Sequence, residues 1–171
     1  IKCDWSSDVC SSDLLGLSTF RHRTMPLCTP IVRPKPSPLQ EQELWFTESG
    51  ACARFGQHSL HSHFQSIHSL SMQRPIGFEA LLRARDAARA PVAPPELFGQ
   101  LSPAQRKSLD GLCHLLHLNN FQNQSDRDHW LFLNMTPEVF LEARHAPAGR
   151  TFGDKLAELD FPAHLVVVEV L

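Results

Sequence analysis

The stretch "PIGFEALLR", residues 75–83, decides how the rest of the chain is read. It is an apolar run that carries one carboxylate, Glu79, and a guanidinium four residues later, Arg83. Immediately before it stands "FQSIHSL", residues 64–70, and the turn-prone "SMQRP", residues 71–75, lies between them. Apolar runs of this length separated by turn residues read as two short strands joined by a turn.

Downstream, the proline-rich connection "APVAPPELFGQL" at 90–101 leads to a helix start at Ser102. Ser102 can cap, Pro103 fits the first turn, and Gln105 completes a capping box. Leu109, Leu112, Cys113 and Leu116 then recur at helical spacing, so one face of this helix is buried and Cys113 belongs to that face. Asn119-Asn120 is expected to end the helix, with His114 and His117 at its boundary. "HWLFLNM" (129–135) reads as a strand. "TPEVFLEA" (136–143) and "TFGDKLAELDF" (151–161) read as helices opened by Thr136 and Thr151. "HLVVVEVL" (164–171) is β-branched at its centre and reads as a strand buried on both faces. Strands separated by helices predict a parallel α/β architecture.

Upstream, apolar and aromatic residues return from "ELWFTESGACARFG", residues 43–56, onward. Before that, prolines at 26, 30, 34, 36 and 38 describe an extended lead-in over residues 15–39, better suited to a tether than to a packed element. Met25 is a natural start within it. The first 14 residues are of another kind. Asp4 to Leu14, "DWSSDVCSSDL", resemble a short-read sequencing adapter translated in one frame, so residues 1–14 are excluded from chemical reasoning.

At 171 residues, with 42% apolar and 20% charged residues, the composition is that of one globular core. The formal net charge of −2 gives no general electrostatic grip on a nucleic-acid polymer or an anionic lipid surface. No run approaches the roughly 18 apolar residues needed to cross a bilayer, so a cytoplasmic location is expected. The five cysteines lack zinc-site spacing and are expected to be free thiols. His58, His61, His63 and His68 crowd together, but without cysteines or a defined fourth ligand they do not predict zinc.

Three polar groups carry the chemistry. Glu79 follows "PIGF", Asn134 closes "WLFL" and Glu169 closes "LVVV", each at or near the carboxyl end of an apolar run. In barrels of repeated strand and helix units that end bears the active site. A carboxylate within "VVVEV" needs a cation, hydrogen-bond donors or water. Two carboxylates and an amide on one rim make an oxygen-rich site suited to Mg²⁺ or Mn²⁺. Arg83 can pair on the surface or hold a phosphate with its planar fork.

The ordered set "FQSIHSL…PIGFEALLR", "LFLNMTP" and "LVVVEVL" resembles the first half of an EAL domain, the family of cyclic diguanylate phosphodiesterases, with the signature triplet at Glu79-Ala80-Leu81. The resemblance spans residues 40–171. It implies an incomplete (β/α)8 TIM-like barrel, roughly its first half, with one antiparallel strand near the start and two divalent cations, Mg²⁺ or Mn²⁺, at the carboxyl rim. It implies metal ligands at Glu79, Asn134 and Glu169, and contacts to cyclic di-GMP from Gln65, Leu81 and Arg83. The implied activity is metal-dependent hydrolysis to the linear dinucleotide, and a homodimer of the full-length protein is among the arrangements it allows.

Ser66 and Ala84 stand where the family often has proline and a bulkier residue, changes expected to be tolerable at a rim. After Glu169 the family usually continues, whereas here Val170-Leu171 closes the sequence. The remaining catalytic groups are therefore expected beyond Leu171, and this chain is expected to be an inactive fragment of an active parent. The alternative is a degenerate module that binds cyclic di-GMP, or a protein partner, without cutting.

Overall fold

The computed structural model describes residues 42–123, 128–143, 145–147 and 151–171. The adapter-like segment 1–14 and the lead-in 15–39 lie outside them.

The described chain opens with a hairpin of β1 (Gln42–Thr47) and β2 (Gly50–Phe55), which the sequence reading did not divide into strands. Thr47 pairs with Gly50 across a two-residue turn, and its hydroxyl donates to the Gly50 carbonyl at 2.9 Å. Gly50 has φ +129°, a conformation that glycine adopts without a side-chain penalty. A second tight turn at Gly56-Gln57 leads into β3 (His58–Ser69) and then β4 (Arg74–Arg85). These two strands pair antiparallel over almost their full 12 residues, with one irregularity between Ile67 and His68.

A two-residue strand, β5 (Pro91–Val92), returns along the end of β4. The proline-rich connection is partly helical: α1 (Pro94–Gly99) places Leu97 in the core at 2% exposure. Next, α2 (Pro103–Gln122) opens with the expected capping box of Ser102 and Gln105. From there β6 (Trp130–Met135) lies parallel to β4, and α3 (Pro137–Ala143) and α4 (Phe152–Glu158) follow. Thr151 and Asp154 form a second capping box on α4. A 3-10 turn at Ala163–Leu165 delivers β7 (Val166–Val170), parallel to β6.

The strand order is β1-β2-β3-β4-β6-β7, with β5 beside β4. This is an open mixed sheet of seven strands. The parallel part predicted from the strand and helix alternation is β4-β6-β7, while β1 to β4 form an antiparallel run longer than the single antiparallel strand expected.

One face of the sheet carries the core. Leu44, Ala51, Ala53, Phe55, Leu60, Leu82 and Ala84 pack with Leu97, Leu109, Leu112, Cys113 and Leu116. Phe78, Ala80, Leu131 and Leu133 pack with Leu118, Phe121, Leu156 and Phe161. Because side chains alternate across a strand, the residues between these point to the opposite face. Ala84 is thus a core residue at 3% exposure and not a rim residue, and a bulkier side chain there would press on the helices behind.

Four further expectations are corrected. Asn119-Asn120 does not end α2, which runs on to Gln122. Asn119 donates back to the Leu115 carbonyl at 2.7 Å and Asn120 finds partners on β2, so neither amide competes with the helix backbone. His114 and His117 are buried, at 2% and 4% exposure, rather than boundary residues. β7 is half-buried over Val166 to Glu169, not buried on both faces. Cys113 is a free thiol in the core as expected, whereas Cys52 is disulfide-bonded and departs from the expectation of free thiols. Among the described residues no helix is long and apolar enough to cross a membrane.

Candidate functional site

Strand register brings the six candidate residues onto one face of the sheet, opposite the helices. Gln65 on β3 faces Glu79 on β4, and His63 and His61 face Leu81 and Arg83. Glu79, Leu81 and Arg83 alternate with the core residues Phe78, Ala80 and Leu82. On the parallel side Glu79 pairs with Phe132, and Asn134 pairs with Glu169. Gln65 and Arg83 are exposed, while Glu79, Leu81, Asn134 and Glu169 are half-buried. Leu81 belongs to neither core cluster.

The strand-end reading holds for two of the three polar groups. Asn134 and Glu169 are the next-to-last residues of β6 and β7. Glu79 sits in the middle of β4, because the strand continues to Arg85 along β3. It nevertheless lies near the carboxyl end of the parallel ladder, which runs only from Gly77 to Ala80.

Side chains at this rim meet directly. The Asn134 side-chain amide donates to Glu79 Oε1 at 2.9 Å. Burial, with the negative charge of Glu79 behind it, raises the pKa of the Glu169 carboxyl above its ordinary value. Two carboxylates near enough for one charge to act on the other, with an amide on the strand between them, form a focus of negative potential that a hard cation would relieve. The donor set fits Mg²⁺ or Mn²⁺: two carboxylates and an amide oxygen, without sulfur or imidazole. Among the described residues no group of three or more His, Cys, Asp and Glu side chains is gathered for a metal, so the amide of Asn134 is essential to this reading.

The neighbouring groups suit an anion. Arg83 projects from the same face as Glu79, and Nη1 donates to the Leu82 carbonyl at 3.2 Å. Arg85 follows two residues later on that face; burial first, and then the Arg85 charge, holds the pKa of His61 below its ordinary value. The histidines at 61 and 63 therefore line the open face together, as strand alternation requires. Two clefts, of about 210 and 480 Å³, lie elsewhere, and none of the six candidates lines either. The rim is an open surface of the sheet.

The fold resembles two solved structures. One is Klebsiella pneumoniae BlrP1 with FMN and cyclic diGMP, at TM-score 0.52 and 22% identity over 65% of this chain and 28% of that one. The other is the Bacillus subtilis YkuI protein, with an EAL domain, in complex with substrate c-di-GMP and calcium, at TM-score 0.53 and 20% identity over 65% and 28%. The likeness is one of fold. This chain spans 28% of the length of each of those proteins. No protein-family model matches the chain, and no curated protein matches it.

Sequence reasoning missed the residues behind the rim. Asp110, His114, His117 and Asn120 form a buried polar stripe along α2, all at 4% exposure or less. Asp110 Oδ2 accepts from both the backbone N–H and the hydroxyl of Thr136, each at 3.2 Å. His114 Nε2 bonds the Asn134 carbonyl at 2.9 Å. His117 Nδ1 lies 2.8 Å from Ser62 Oγ, and Asn120 bonds both backbone groups of Ala51 and the Ser62 hydroxyl. The available signal was their spacing of four, three and three residues, which sets polar groups on one helical stripe beside the leucines.

Proposed function

We propose that this chain is a binding face for cyclic di-GMP, with Glu79, Asn134 and Glu169 holding a divalent cation, Mg²⁺ or Mn²⁺, and Gln65, Leu81 and Arg83 contacting the dinucleotide. The observation that carries the reading is the pairing of Asn134 with Glu79 on one side and its register with Glu169 on the other. The fold likeness to two proteins whose structures contain the dinucleotide supports the choice of ligand. Arg83 would meet a phosphate with a planar, permanently charged fork, and Leu81 offers an apolar surface beside it. A bound cation supplies Lewis-acid stabilisation of negative charge on phosphate oxygens. The residues of this chain bind and orient: Glu79 and Glu169 provide charge, and Asn134 spaces them.

In this reading the parent protein is a cytoplasmic cyclic di-GMP phosphodiesterase, and the 171-residue chain binds without cutting.

Isothermal titration of the 171-residue chain with cyclic di-GMP, in Mn²⁺ and in chelator, tests the proposal. Expected is saturable binding that weakens when the cation is removed and about tenfold or more when Arg83 becomes Ala. Release of linear dinucleotide is expected to be absent by chromatography. Equal binding by the wild type and Arg83→Ala would remove the phosphate role, and turnover would overturn the assignment as a non-cutting chain.

A further inference from the structure

The rim residue Asn134 is held from behind. Its side chain reaches Glu79 on the open face, while its carbonyl bonds His114 Nε2 at 2.9 Å on the helix face. Two residues on, Thr136 presents its N–H and its hydroxyl to the same oxygen of Asp110. Asp110 and His114 lie four residues apart on α2, one helical turn, and both are buried at 4% exposure or less. The Asn134 carbonyl can only accept, so His114 must carry its proton on Nε2. Phe152 of α4 meets the imidazole edge-on at 5.5 Å between ring centroids and fixes the ring plane.

We infer that Asp110 and His114 are positioning residues: they clamp the backbone at 134 and 136 so that the Asn134 amide stands against Glu79. A buried carboxylate and a buried imidazole are expensive substitutes for the leucines that flank them on α2, and stability alone does not call for them there. Their partners are the two segments of β6 and its following loop that set the rim. The clamp itself stands on these bonds; its importance to cation binding rests on the proposal for Glu79, Asn134 and Glu169. Partners of this type around a metal site typically change affinity 10–100-fold when removed.

The test has two readouts on the full 171-residue chain. The first, independent of metal, is the NMR signal and solvent exchange of the Asn134 side-chain amide in chelator. In the wild type these protons are expected to be downfield and protected by Glu79. His114→Phe, which keeps the ring stack and loses the donor, should move them to the position of a free amide and speed their exchange, whereas His114→Gln, which restores a donor, should leave them near wild type. The second readout is binding of Mn²⁺ alone by electron paramagnetic resonance, where His114→Phe should weaken affinity at least tenfold and His114→Gln less than threefold. Cys113→Ala, a cavity on the same helix, serves as the control: it should lower stability and leave both readouts unchanged.

If His114→Phe does not fold, Thr136→Val removes the hydroxyl bond to Asp110 and should produce the same displacement in smaller degree. An Asn134 amide unchanged in the folded variants overturns the clamp. A displaced amide with no Mn²⁺ binding even in the wild type leaves the clamp standing and sinks the metal reading instead. Loss of both signals in Cys113→Ala would reduce Asp110 and His114 to ordinary structural residues and overturn the inference.

Discussion

Asn120 grips Ala51 by both backbone groups, its Oδ1 accepting the N–H at 2.8 Å and its Nδ2 donating to the C=O at 2.9 Å. A side-chain amide here replaces the strand that would otherwise satisfy β2 at this point, and it does so from a helix 69 residues later. The same Nδ2 also reaches Ser62 Oγ at 3.0 Å, so one residue ties α2 to two strands.

Replacing Asn120 with Ala leaves the Ala51 N–H and C=O buried without these partners. Each unsatisfied group costs about 1–3 kcal/mol, and the variant is expected to lose roughly 3 kcal/mol in all. Urea unfolding followed by circular dichroism measures it, and a loss below about 1 kcal/mol would show that water or a shifted strand fills the gap.

Acid sensitivity should come from His117. Full burial, followed by the nearby His114, pushes its pKa down to about 3. Ser62 already receives a bond from Asn120, so its hydroxyl is free to donate to a neutral Nδ1. A folded pKa below the unfolded value of about 6.5 means that the unfolded chain takes up more protons between those limits. The stability contribution is therefore complete above about pH 6.5 and is lost as pH falls toward 3. The slope from this one group reaches at most about 1.4 kcal/mol per pH unit. His117→Gln should flatten the curve of unfolding free energy against pH in that window, and an unaltered slope would mean that another group titrates there.

Stability and cation affinity should respond in opposite directions to one change at the rim. Glu169 is raised by burial and by the charge of Glu79, so in chelator its ionised form is disfavoured in the folded chain. Glu169→Gln removes that repulsion, and the melting temperature in chelator is expected to stay equal or rise. Mn²⁺ affinity should fall about tenfold or more, as expected when a charged oxygen ligand is lost. A parallel fall of both quantities would mark Glu169 as a structural residue.

The parallel part of the fold and the common face of the candidate residues were legible because each depends on local period. Alternation along β4 puts Glu79, Leu81 and Arg83 on one face whatever the neighbours are, and the caps at Ser102 and Thr151 are written in three or four residues. The hairpin of β1 and β2 was not legible. Its core-facing positions include Ala51 and Ala53, and alanine carries little strand signal. The α2 stripe was misread for a different reason: polar residues are ordinarily outside, and only partners 20 to 69 residues away make their burial tolerable. Glu79 sat mid-strand instead of at a strand end because the β3–β4 pairing prolongs β4, which no local pattern in "PIGFEALLR" announces.

One substitution, glycine to alanine, should give three different results in this fold. At Gly77 a Cβ would stand 2.7 Å from the Trp130 carbonyl oxygen and 2.9 Å from a ring carbon of Phe132. Gly77 pairs with Trp130 in the ladder that joins β4 to β6, and a backbone oxygen cannot retreat without opening that ladder. Gly77→Ala is expected to cost about 1–3 kcal/mol, as overpacked sites do, and to part Glu79 from Asn134, which the Asn134 amide resonance would report. At Gly56 nothing lies within 4 Å, but φ is +56°, so Gly56→Ala should cost about 1 kcal/mol from the backbone alone and leave that resonance in place. Gly111 also has nothing within 4 Å and sits inside α2, where alanine is the better helix former by about 0.8–1 kcal/mol. Gly111→Ala should therefore stabilise the chain. Equal effects at all three positions in urea unfolding would mean that the β4–β6 contact does not constrain the rim, and the close approach at Gly77 would lose its functional meaning.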